Sequence, residues 1–171
     1  MKKNIIIVSI VLVSFGCGQG YKLTSNNYRV TDKGKFRLKN KFHLADTTVI
    51  STTNLYQYTC FKDTWFKFYN DGRVLLGYFS TIPKAASDSI YGFAGFYKIN
   101  NKEIKIEMSY AQKRNDWYIL EIEGKIVGDT LMFYKDNVQG TKRNIRHFTS
   151  QPQGCYYIKT NEQYFLRQPD W

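Results

Sequence analysis

From Val49 onward, apolar and polar residues alternate with a period of two in one short run after another, and turn-favouring residues separate the runs. That period puts successive side chains on opposite faces of a strand, so the pattern predicts sheet with unlike sides. The clearest unit is Thr64 to Ser80. Phe66 and Phe68 fall on one face, with Trp65, Lys67 and Tyr69 on the other. Asn70-Asp71-Gly72 supplies the turn, because Asp-Gly tolerates the positive φ angles of a tight hairpin. On the return, Val74, Leu76 and Tyr78 share a face.

The same reading extends along the chain. Val49 to Leu55 is a Thr-rich strand; in Phe93 to Ile99 the residues Phe93, Gly95, Tyr97 and Ile99 share a face, and Asn100-Asn101 turns into Glu103 to Tyr110. There Ile104, Ile106 and Met108 oppose Lys105, Glu107 and Ser109, and Ala111 to Asp116 is a polar loop. In Trp117 to Val127 the inward set is Tyr118, Leu120, Ile122, Gly124 and Ile126, while Glu121, Glu123 and Lys125 face solvent. Gly128-Asp129 leads to Leu131 to Tyr134, and Asn144 to Thr149 is the last strand. Eight consecutive antiparallel strands leave two open edges, which closure into an up-and-down barrel removes. The fold class expected is therefore all-β, an up-and-down barrel of about eight strands. Ser80 to Tyr91, with Pro83, Ala85 and Ala86, breaks the alternation and is the candidate loop or lid over an opening.

The beginning of the chain reads differently. Met1-Lys2-Lys3-Asn4 followed by the apolar run Ile5 to Phe15 has the layout of a secretory signal, and the run is shorter than the roughly 20 residues of a membrane span. It ends at Ser14-Phe15-Gly16-Cys17, which resembles the looser lipobox of Bacteroidota lipoproteins; the resemblance implies that Cys17 is acylated and becomes the N-terminus. A strict box has Leu and a small residue where this chain has Ser14 and Phe15. The expected division is a signal peptide over 1–16, the lipidated cysteine and a basic tether over 17–41, the barrel over 42–150, and an extension over 151–171. Cys155 to Ile158 and Tyr164 to Leu166 in that extension suggest a short hairpin around Thr160-Asn161-Glu162. Phe36, Leu38, Phe42 and Leu44 alternate with basic residues, a pattern expected to form an edge strand across the barrel mouth, the alternative being a membrane-contacting arm.

Three stretches carry a wider resemblance. Trp65 to Val74, Gly95 to Ile104 and Glu123 to Leu131 are similar to successive strands of small lipocalin-like bacterial lipoproteins, over about Asp46 to Ser150. The resemblance implies a lipid-anchored protein of the bacterial envelope, expected at the outer membrane. With Cys17 committed to lipid, Cys60 and Cys155 remain as an even pair in an oxidising compartment and are expected to form a disulfide.

Charge and chemistry narrow the function. The net charge of +11 is concentrated early: Gly18 to Lys41 holds seven basic residues against Asp32, whereas Phe42 to Trp171 holds 16 basic and 13 acidic residues. The barrel itself therefore lacks the charge of a nucleic-acid binder, and the arm suits an anionic membrane. His43 and His147 are isolated, Glu121 and Glu123 share a solvated face with Lys125, and no nucleophile elbow or phosphate loop is present. No catalytic residue, metal ligand or cofactor is expected. Candidate ligand-binding residues are the inward Phe66, Phe68, Tyr78, Tyr97 and Tyr118, with Ile106, Leu120 and Leu131 beside them. Arg146 joins them if Phe148 points inward, and His147 if Ile145 does. Two readings stay open: an envelope binding module for a small apolar or amphipathic molecule, or an interaction lipoprotein with a filled barrel and Trp65, Tyr69 and Ile119 exposed.

Overall fold

The computed structural model describes residues 21–23, 29–31, 36–39, 49–61, 63–78, 92–113, 116–140, 154–164 and 166. Among them are ten strands and no helix: β1 (Tyr21–Leu23), β2 (Arg29–Thr31), β3 (Asn54–Tyr58), β4 (Thr64–Phe68), β5 (Arg73–Tyr78), β6 (Gly92–Asn100), β7 (Glu103–Lys113), β8 (Asp116–Val127), β9 (Thr130–Gly140) and β10 (Tyr157–Gln163). Each of β3 to β10 pairs antiparallel with its neighbours in sequence, and β10 returns to β3. The result is a closed eight-stranded up-and-down barrel, the fold class that the alternation predicts.

Turn chemistry sets one end. Gly72 has φ +83°, and the Arg73 amide donates to Asp71 Oδ1 at 3.1 Å. Asn101 and Lys102 have φ +50° and +69°, a tight pair one residue beyond the expected turn, and Gly128 has φ +56°. These three turns lie at the same end. The β3–β4 loop and the connections from β5, β7 and β9 to the next strand leave from the other end.

β7 and β8 run into the stretch Ala111 to Asp116 expected to be a loop, β9 continues past Tyr134 to Gly140, and four other elements also differ from the expected ones. First, β3 starts at Asn54 because Ser51 Oγ accepts from the amides of Thr53 and Asn54 at 3.3 and 3.1 Å, holding Ser51 to Thr53 in a side-chain-stabilised turn. Second, the barrel closes with β10, inside the stretch expected to be a separate hairpin. Its polar Lys159 to Gln163 carry little alternation, but Tyr157 pairs with both Tyr58 and Leu131. The expected strand Asn144 to Thr149 lies outside the described residues, as does the loop Ser80 to Tyr91.

Third, the stretch expected to be a plain tether contains paired strands. β1 and β2 form a hairpin, and β2 joins β6 in parallel through Arg29 and Phe93. Fourth, Phe36 to Lys39 is a bend rather than an edge strand, and it crosses the outer wall instead of the mouth: Phe36 meets Phe96 of β6 edge-on at 5.0 Å.

Cys60 and Cys155 form a disulfide, with Cα atoms 5.6 Å apart, next to the Thr59 amide bond to the Tyr156 carbonyl.

Candidate functional site

Strand alternation produces two apolar layers, one inside the barrel and one outside. The inner layer contains Phe66 and Phe68 of β4, Val74 and Leu76 of β5, Tyr97 of β6, Ile104 to Met108 on alternate positions of β7, Tyr118 and Leu120 of β8, and Leu131 of β9. Phe66, Phe68, Tyr97 and Tyr118 are therefore brought together in the lumen. Tyr78 lies in β5 opposite Thr64, and nothing is described of its side chain. Cys17, Arg146, His43 and His147 lie outside the described residues.

One wall of the lumen is aromatic. Phe66 lies 4.8 Å from Tyr157, 5.6 Å from Phe133 and 5.9 Å from Phe68; Phe68 in turn meets Tyr97 at 4.9 Å and Tyr56 at 5.5 Å. Such edge-on and offset pairs add roughly 0.5 to 1.5 kcal/mol beyond area burial. Two buried hydroxyls of this wall are occupied: Tyr97 donates to the Tyr69 carbonyl at 2.8 Å, and Tyr56 accepts from the Ser51 amide at 2.9 Å. Burial pushes the Tyr56 phenol above its usual range. The opposite wall, from β5, β7 and β8, is mostly aliphatic.

Among the lumen residues that sequence reasoning did not pick out are Tyr56, Tyr58, Tyr157, Phe133 and Asp136. Phe133 shares the face of Leu131 by plain alternation, and a bulge in β9 brings in Asp136. Glu123 pairs with Lys135 but Gly124 pairs with Phe133, so Tyr134 is the extra residue and bonds outward to Glu103 at 2.5 Å. The bulge turns Lys135 out to Glu123 at 2.9 Å and sets Asp136 opposite Ile122, on the lumen side. Plain alternation from Leu131 would have put Lys135 inside.

The outer layer corrects an expectation. Trp65, Tyr69 and Ile119 are 0%, 4% and 3% exposed, packed with Phe36, Leu38, Leu55, Leu75 and Phe96 and overlaid by Tyr164 and Leu166. Alternation predicts that these side chains point away from the lumen. It does not reveal that chain from both sides of the barrel covers them.

This covered wall holds buried charge. Lys67 donates to the carbonyls of Thr52, Thr53 and Tyr164 at 2.8, 3.1 and 2.6 Å, and burial pulls its ammonium down to about 8. The carboxylate of Glu107 accepts from the Leu38 amide at 2.7 Å; burial, with Glu121 alongside, raises it above the usual carboxylate range. Glu121, cross-strand from Glu107, lies 3.7 Å from the Arg37 guanidinium and is buried, not solvated as expected. Both acids hold down the Phe36–Lys39 strap. Glu123 is bridged by Lys105 and Lys135, which lower its carboxyl.

No protein-family model, no curated protein and no solved structure matches the chain.

Proposed function

We propose that the protein is a lipid-anchored protein of the bacterial cell envelope whose barrel is a non-enzymatic binding module for a small amphipathic molecule. The observation that supports this reading best is the make-up of the lumen: an apolar interior with an acid, Asp136, on its inner face. The apolar part of the ligand would lie against Met108, Tyr118 and Leu120, and its polar group near Asp136. The test is displacement of an environment-sensitive apolar dye from the full-length protein, compared between parent and Met108→Trp. The reading expects the dye to bind the parent and the substitution to exclude it. Equal dye binding by both would place any site elsewhere.

The ring packing supports a second reading, an interaction lipoprotein with a filled barrel. In that case Met108→Trp overpacks the core and costs roughly 1 to 3 kcal/mol of stability, with no dye bound by either protein.

A further inference from the structure

The outer face of β6 to β9 differs from the other described walls. Cross-strand pairing places Lys98, Lys105, Glu123 and Lys135 in one row, with Glu103, Lys125 and Met132 in the next. The cations outnumber the acids there. Glu107 and Glu121, in the row before, are buried under the strap, while Arg37 of that strap is 66% exposed. Beside the cations, Val127, Met132 and Tyr134 are 58%, 50% and 54% exposed. Lysines interspersed with exposed aliphatic and aromatic side chains fit a lipid interface, where apolar side chains enter the acyl boundary and ammonium groups meet headgroups.

The N-terminal arm leads to the same flank. β2 lies on β6 and alongside β7, and β1 starts at Tyr21. Four residue steps separate Tyr21 from Cys17, so an acyl anchor on Cys17 would sit within about 14 Å of the hairpin. A leash that short holds this flank, rather than a remote one, near the bilayer.

We infer that the outer face of β6 to β9, with the Phe36–Lys39 strap, is a docking surface for an anionic phospholipid bilayer. The anchor argument rests on the envelope reading, but the face is testable without the anchor. The mature chain carrying Cys17→Ser is mixed with vesicles of phosphatidylcholine, with or without phosphatidylglycerol. A single added thiol carries an environment-sensitive fluorophore, at Met132→Cys on the face or at Asn70→Cys in the exposed β4–β5 turn, across the barrel.

The expected result is binding only to anionic vesicles, with a blue shift at position 132 and none at 70. Lys98→Glu with Lys125→Glu should weaken partitioning by about tenfold or more, since each basic residue near such a surface is worth about 1 kcal/mol. No binding at low salt, equal shifts at both positions, or indifference to the double reversal would overturn the inference. Whether Cys17 is acylated is read separately, from detergent partitioning of the parent against Cys17→Ser. Failure of the anchor is thereby distinguished from failure of the face.

Discussion

The indole of Trp65 fills the space that a side chain at Gly77 would need. The two residues are direct partners across β4 and β5, and a Cβ on Gly77 would lie 2.1 Å from the indole Cζ2. Gly77→Ala must therefore displace the ring at the centre of the outer layer. The expected cost is roughly 1 to 3 kcal/mol in urea unfolding. The loss should be smaller in a Trp65→Phe background, because the smaller ring leaves room. Additive effects would contradict the contact.

Lys67 carries its charge in a cage of backbone carbonyls. Lys67→Met leaves those carbonyls without their donor and should destabilise the protein by roughly 1 to 3 kcal/mol at neutral pH. The pH dependence has a definite sign. The folded ammonium titrates near 8 and the unfolded one near 10.5. Between those values the unfolded chain binds more protons, so this group makes the parent more stable as pH rises. Below pH 8 it contributes no slope. Chemical melts of parent and Lys67→Met across this window measure the difference.

Glu107 gives the opposite slope. Its folded carboxyl titrates above its ordinary value, so between the unfolded and folded values the folded state binds more protons, and stability falls as pH rises. Glu107→Gln keeps an acceptor for the Leu38 amide and removes that penalty. It should be at least as stable as the parent at pH 7, with the advantage shrinking on acidification through the folded value. A Gln variant that loses stability at pH 7 would show that the charge, not the acceptor, secures the strap.

The Cys60–Cys155 bond closes a separation of 95 residues and pins the start of β10 beside β3. Replacing both cysteines with Ser should lower the melting temperature and cost up to about 4.7 kcal/mol of stability on the chain-entropy account. An unchanged melt would mean that the unfolded chain is already compact across this span.

The inner wall was legible because Phe66, Phe68, Tyr97 and Tyr118 sit at even spacings in runs with clear alternation, and a two-residue period assigns a face directly. The outer layer was not. Trp65, Tyr69 and Ile119 have the parity of surface residues, and a pattern local to one strand carries no information about chain that returns to cover it. β10 was hidden for a related reason: its Lys159 to Gln163 are polar, and only its position between β3 and β9 makes it a strand. Asp136 escaped notice because the bulge at Tyr134 shifts the parity of everything after it.

The binding reading is tested most directly by native mass spectrometry of the full-length protein, extracted in mild detergent from the membranes of its own cells. The account predicts a population carrying one additional amphipathic molecule of defined mass, released on unfolding and lost in Met108→Trp. Uniformly ligand-free protein from those membranes, together with the stability loss of an overpacked core in Met108→Trp, would contradict it and leave the filled barrel.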